Sequence, residues 1–302
     1  MKILITGGSG FIGSAFIRLA LSRGHEIAGL LTPRKGVPAN VPENPNLIWL
    51  RGRLEAVPWA EIAAFGADVC LHAAWITTPG ACLESIENKS LLDASLRFLR
   101  KTCEFGVSHI VGLGTCSEYQ IQAGPLSEDQ TPSIPNTLYG HCKNQLRLAL
   151  EADAQTGHML FGWGRVFYTF GPGEHRLRLC SSIVHKLSRN EAVVLRTPDS
   201  IKDYIYVEDV ASAVMAVIES RFRGVINLGT GTGTPVREIA AQLGQIMKKK
   251  HLIEEAQQAE SDPCPRVIAD ATKLRALGWK PQWTLQAGLE EIVRAYHNRA
   301  SM

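Results

Sequence analysis

The feature that most constrains this chain is its opening stretch. Met1-Lys2-Ile3-Leu4-Ile5-Thr6 carries an apolar run over Ile3, Leu4 and Ile5, the pattern of a buried strand. Gly7-Gly8-Ser9-Gly10-Phe11-Ile12-Gly13 follows without a break. Phe11, Ile12, Ala15, Phe16, Leu19 and Ala20 then recur at helical spacing. The pattern predicts strand, tight turn, helix. Gly7 permits the turn, Gly10 lets a pyrophosphate approach the backbone, and Gly13 lets helix and strand pack closely. Backbone N–H groups around Ser9, Phe11 and Ile12 would then hold the anion at the helix start. The spacing is Gly-x-x-Gly-x-x-Gly rather than Gly-x-Gly-x-x-Gly. The glycines alone are a weak signal; the strand before them and the helix after them carry a dinucleotide-binding reading over that of an idle turn.

A length of 302 residues suits two domains, or one doubly wound domain with a smaller lobe. Strand and helix patterns alternate through the first two thirds, which predicts an α/β fold with a parallel sheet. Expected strands are Glu26 to Leu31, Asn46 to Leu50, Asp68 to His72, His109 to Leu113 and Met159 to Val166. Leu92, Leu96, Leu99 and Cys103 form one helical stripe, and another helix begins near Leu138. After Gly171-Pro172-Gly173 the rhythm changes to shorter, mixed elements. The expected division is a Rossmann-type dinucleotide domain over 1–170, with 201–229 returning to it. Residues 171–200 and 230–302 would then form a substrate lobe.

A net charge of +3 gives no argument for nucleic acid or an anionic membrane. No apolar run approaches the roughly 20 residues of a membrane span. The N-terminus enters a strand directly, so no signal peptide is expected. Seven cysteines without CxxC spacing read as reduced thiols of a cytoplasmic protein, with no metal site.

The sharpest chemistry lies in Tyr139-Gly140-His141-Cys142-Lys143. On a helix, residues i and i+4 share a face, so the Tyr139 phenol and the Lys143 ammonium address one site. A neighbouring ammonium is expected to lower the phenol's pKa from about 10, fitting it for proton transfer beside a nicotinamide. The bland alternative is a surface helix pair. Thr115 is expected just past the C-terminal end of a central strand, where open α/β sheets bind ligands, and its hydroxyl could orient a substrate oxygen beside Tyr139.

Taken together, these motifs resemble the extended short-chain dehydrogenase/reductases of the NAD-dependent epimerase/dehydratase family, which mostly modify nucleotide sugars. The resemblance spans nearly the whole chain. Thr6 to Gly13 resembles the family's cofactor loop, and His72, Ala73 and Ala74 its segment along the cofactor. Asn88 resembles a helix asparagine that supports the active site. Thr115, Tyr139 and Lys143 match the catalytic Ser/Thr, Tyr and Lys. Lys202 to Asp209 resembles a segment whose arginine binds substrate phosphate, and Leu277-Gly278-Trp279-Lys280-Pro281 resembles the tail motif. The resemblance also implies a homodimer, built through a four-helix bundle of the helices beginning near Ile86 and Leu138.

Departures from the family pattern shape the remaining expectations. Where NAD users carry an acid after the second strand, this chain has Thr32-Pro33-Arg34-Lys35. Thr32 and Arg34, with Lys35, suit a 2′-phosphate, so NADP(H) is preferred, with NAD(H) the other option. Gly52-Arg53-Leu54 replaces Gly-Asp-Leu, leaving Leu54 as that segment's cofactor contact. Cys116 and Ser117 stand where the sugar dehydratases place Asp and Glu, which argues against a 4,6-dehydratase. Tyr168 stands where the 4-epimerases often have Asn. Expected substrate contacts are Thr115, Cys116, Ser117, Tyr168, Lys202 and Arg266, with Arg176 and Arg178 as weaker candidates. The leading expectation is NADPH-dependent reduction of a nucleotide-linked 4-keto sugar. A nucleotide-sugar 4-epimerase with bound NAD is the close alternative, and a non-catalytic dinucleotide sensor the third.

Overall fold

The computed structural model describes residues 1–33, 35–258 and 260–300. Its first half runs β1 (Lys2–Thr6), α1 (Phe11–Ser22), β2 (Glu26–Leu31), β3 (Leu47–Arg51), α2 (Trp59–Phe65), β4 (Val69–His72), α3 (Glu87–Glu104), β5 (His109–Thr115) and α4 (Leu138–Ala154). Next come β6 (Leu160–Val166), β7 (Tyr168–Phe170), α5 (Leu179–Ser188), β8 (Val193–Leu195), β9 (Ile201–Tyr206), α6 (Val207–Glu219) and β10 (Gly224–Leu228). The chain closes with β11 (Gly233–Pro235), α7 (Val236–Ile246), β12 (Ile253–Glu255), β13 (Arg266–Val267), α8 (Thr272–Ala276) and α9 (Leu285–Ala300).

The large sheet is parallel throughout, in the order β10-β6-β5-β4-β1-β2-β3. Strand order reverses at β1, so a crevice opens outside the C-terminal ends of β1 and β4. This is the expected Rossmann-type α/β fold, with one strand added beyond β6. Its central strands are apolar on both faces because helices cover both: Ile3, Leu4, Ile5, Ile110, Val111 and Leu71 are essentially inaccessible to solvent.

A second, mixed sheet is gathered around β9. It takes β7 and β13 in parallel and β11 antiparallel. The sequence pattern missed these pieces because they are short and because β9 buries charge: Lys202 and Asp203 are both inside. Asp203 is a latch between the two sheets. Its carboxylate accepts from Thr230 N and Oγ1 at 2.9 and 2.6 Å, from Gly231 N at 2.8 Å and from Ala269 N at 3.2 Å. Those donors lie just past β10 and β13, so one buried acid holds four groups and stays satisfied. Within 201–229, β9 lies in this second sheet, whereas α6 packs on α1 and β10 completes the large sheet.

Candidate active site

The glycine turn sits at the switch point between β1 and β4. Gly7 has φ +73°, and a Cβ there would meet the backbone of Ala73 and Ala74 at 2.6 Å. A Cβ on Gly13 would lie 2.2 Å from the Gly7 carbonyl oxygen, so α1 can start this close to β1 only with glycine. Gly10 precedes the first helical residue, Phe11, and no side chain caps α1. Ser9 and Ile12 flank it half-buried. The Gly10 N–H closes the turn on the Gly7 carbonyl at 2.9 Å, and the first turn of α1 beyond it is a backbone cradle with no side-chain cap, which fits a dinucleotide pyrophosphate.

Beside the cradle, His72 is fully buried and shares a 2.8 Å hydrogen bond with Thr6 Oγ1. Burial, then the Lys143 charge, brings its pKa down to about 3, so the imidazole is neutral. Ala73 N donates to the Thr6 carbonyl at 3.1 Å, and Ala74 N to Thr6 Oγ1 at 3.3 Å. These bonds lay the Ala73–Ala74 backbone along the open end of β1. On the other side, Thr32 is half-buried after β2, Lys35 is exposed, and Leu54 is half-buried against the core. Arg34 lies outside the described residues.

Thr115 is the last residue of β5 rather than just past it. Its Oγ1 accepts from Ser117 N at 3.2 Å, and its own N–H donates to Glu118 Oε1 at 2.8 Å. This capping box is legible in the sequence as Thr-x-x-Glu, a signal the motif reading passed over. Gly140 lets α4 close on that turn, since a Cβ there would be 2.5 Å from the Ser117 carbonyl oxygen. Thr137 caps α4 by accepting from Gly140 N at 3.1 Å. Closing α4 on this turn sets Tyr139 beside Thr115, near enough for the threonine to act on its hydroxyl.

The direction of the Tyr139 shift corrects the sequence expectation. Burial, the largest influence, pushes its hydroxyl well above the ordinary phenol value, and the Glu118 charge adds to this. The Thr115 hydrogen bond works the other way and is outweighed. Lys143, one turn along α4, is buried, and burial brings its pKa down to about 8, against the pull of Glu118. Its ammonium lies 4.2 Å from the ring centre of Trp75 and 5.4 Å from that of Trp163.

Beneath these groups is a buried charge network. Glu118 and Arg165 are almost inaccessible, and Arg165 Nε donates to Glu118 Oε2 at 2.8 Å. Trp163 Nε1 donates to the same carboxylate at 3.1 Å, and Arg165 Nη2 to Ser133 Oγ at 2.6 Å. The arginine also stacks over the Tyr119 ring, 4.1 Å from its centre. An Arg and a Trp inside the apolar run of β6 were the signal for this network.

The other expected residues are placed differently. Asn88 is fully buried and spends its amide on protein groups: Oδ1 accepts from Trp75 Nε1 at 2.8 Å, and Nδ2 donates to the carbonyls of Cys82 and Ser85. Lys202 is buried, with Nζ donating to Asp262 Oδ2 at 2.8 Å and to the Cys264 carbonyl oxygen. Its ammonium also lies 5.5 Å from the ring centre of Tyr168. Arg266 opens β13 and is exposed, and Arg178 is exposed just before α5. Arg176 lines a separate cavity of about 320 Å³ between α5 and α9, together with Glu174, His185 and Tyr296.

A family model, the NAD dependent epimerase/dehydratase family, matches residues 3–229. The chain belongs to that family. Among curated relatives, it is 25% identical to the low-salt glycan biosynthesis protein Agl12 of Haloferax volcanii, covering 98% of each chain. It is also 25% identical to a UDP-glucose 4-epimerase of Corynebacterium glutamicum, over 94% of this chain and 92% of the relative. The fold matches that of the UDP-glucose 4-epimerase of Thermotoga maritima solved with UDP-glucose, with TM-score 0.86 and 23% identity over 99% and 100% of the two chains.

Within this epimerase/dehydratase family, the two positions after Thr115 matter. Cys116 is buried, and burial pushes its thiol up to about 12. Ser117 is half-buried and donates its N–H to Thr115. Neither is a carboxylic acid.

Proposed function

We propose that this chain is a nucleotide-sugar 4-epimerase working with a nicotinamide dinucleotide. The observation that carries the reading is the placing of Tyr139 beside Thr115 at the C-terminal edge of β5, with Lys143 one turn away and no acid at the next two positions. Full-length similarity to UDP-glucose 4-epimerases supports it. The cradle of Gly7, Ser9, Gly10, Phe11, Ile12 and Gly13 would hold the pyrophosphate, with His72, Ala73 and Ala74 alongside. The bound dinucleotide would supply a reversible hydride acceptor at the sugar C4, through which that carbon could be inverted with no net oxidation. Tyr139 exchanges the proton of the C4 oxygen, and Thr115 holds that oxygen in line. Lys143 supplies positive charge beside the phenol and the nicotinamide ribose.

A second reading, NADPH-dependent reduction of a nucleotide-linked 4-keto sugar, draws on two observations. Burial keeps the Tyr139 hydroxyl in its proton-bearing form, as a reductase's acid requires. The turn after β2 offers Thr32 and Lys35 and no carboxylate toward a 2′-phosphate. One assay separates the readings. Purified protein is given UDP-hexoses without added cofactor, and separately a nucleotide 4-keto sugar with NADPH or NADH. The epimerase interconverts the C4 epimers and leaves the reduced cofactor's absorbance unchanged. Stoichiometric loss of that absorbance would replace it with the reductase.

We also propose a cytoplasmic homodimer through α3 and α4. Exposed Leu83, Ile86 and Leu148 lie on or beside these helices, and the cysteines among the described residues are unpaired. Light scattering that returns a monomer would remove the dimer.

A further inference from the structure

The sequence motifs left one residue of the site without a role: Trp75, immediately after Ala74. A buried ammonium ordinarily needs a carboxylate or several hydrogen-bond acceptors. Lys143 is 3% exposed; two indole rings lie against its ammonium, and the Glu118 carboxylate acts on it with no hydrogen bond between them. Both indoles give their N–H elsewhere, Trp75 to Asn88 and Trp163 to Glu118. Each therefore keeps a ring face for the cation, where the π system is electron-rich. Asn88 cannot turn to release Trp75. Its two amide hydrogens are engaged by the carbonyls of Cys82 and Ser85 at 2.7 and 2.8 Å, so its oxygen faces the indole. The loop before α3 thus sets Asn88, Asn88 sets Trp75, and Trp75 meets Lys143 at 4.2 Å.

We propose that Trp75, held by Asn88, is a positioning residue that fixes the Lys143 ammonium at the cofactor cradle without neutralising it. A carboxylate in its place would also hold the lysine, but would spend the charge that the nicotinamide ribose and the phenol need. The ring holds the cation in place without accepting its N–H donors. Asn88 accordingly acts on the cofactor through Trp75 rather than by touching it.

This rests on the nicotinamide reading of the site, and a double-mutant cycle in cofactor affinity tests it. NADH and NADPH, each followed by its own fluorescence, are titrated into wild type, Trp75→Leu, Lys143→Met and the double variant, with circular dichroism on each. Trp75→Leu is expected to weaken binding of the preferred dinucleotide about tenfold in the wild-type background and to have no further effect once Lys143 is methionine. Trp75→Phe keeps a ring but loses the bond to Asn88. It is expected to fall between wild type and Trp75→Leu, and it carries the test if the leucine variant does not fold. An equal loss from Trp75→Leu with and without Lys143 would reduce Trp75 to packing and overturn the inference while the functional reading stands. Wild type that is purified without bound dinucleotide and takes up neither would overturn both.

Discussion

Lys143 and Lys202 are both buried, and their surroundings treat them in opposite ways. Lys202 lies in β9 with Asp262 at 2.8 Å, and that carboxylate also accepts from Ser200 Oγ and Cys264 N. Its charge is matched where it sits, and it joins the segment before β13 to the second sheet. Lys143 has two indole faces against its ammonium, and burial brings its pKa down to about 8 while the Glu118 charge pulls the other way. A cation paired in this way serves the fold, whereas one left unmatched at a ligand cleft weighs on the fold and is placed for chemistry. The family motif makes Lys202 the expected phosphate ligand. The structure instead shows it occupied, with exposed Arg266 on the neighbouring strand.

Substitutions test this contrast. The largest effect belongs to a third buried cation, Arg165, whose pairing with Glu118 supports Thr115. Arg165→Met leaves an unmatched carboxylate inside and should cost about 3–5 kcal/mol in denaturant unfolding. A cost under about 1 kcal/mol would mean that the network is not electrostatically coupled. Lys143→Met should go the other way and stabilise the protein at pH 7, on the order of 2 kcal/mol. The pH dependence follows from the lowered value. Below pH 8 the folded and unfolded states both hold the proton, so the burial penalty is fully present. Between 8 and the ordinary value of 10.5 only the unfolded state holds it, so wild-type stability rises with pH. The advantage of Lys143→Met should therefore shrink across that window, and a constant gap would contradict the assignment. Lys202→Met should destabilise by about 1–2 kcal/mol, because Asp262 keeps its bonds to Ser200 and Cys264 and is partly exposed. Stabilisation by this substitution would erase the difference between the two lysines.

What was legible in the sequence was local. The glycine turn, the Tyr139–Lys143 spacing and the strand carrying Thr115 are set by neighbours within one turn or one strand, so pattern and geometry coincide. What was missed depends on residues far apart in the chain. Asp262 reaches Lys202 across 60 positions, and Trp75 meets Lys143 from a different element. The raised Tyr139 value has the same origin. Sequence spacing suggests a nearby ammonium, but not the burial that raises the phenol, with the Glu118 charge adding to it. The strands β7, β9, β11 and β13 escaped because two to six residues carry little periodicity.

The central claim is that the Tyr139 hydroxyl moves a proton while a nicotinamide stands against it, and Tyr139→Phe tests this most directly. Dinucleotide affinity and turnover of the nucleotide sugar are measured on the same preparation. The account predicts affinity within about twofold of wild type and a loss of turnover of roughly 10²–10⁴-fold. Turnover that survives the substitution, with the cofactor bound as before, would contradict it.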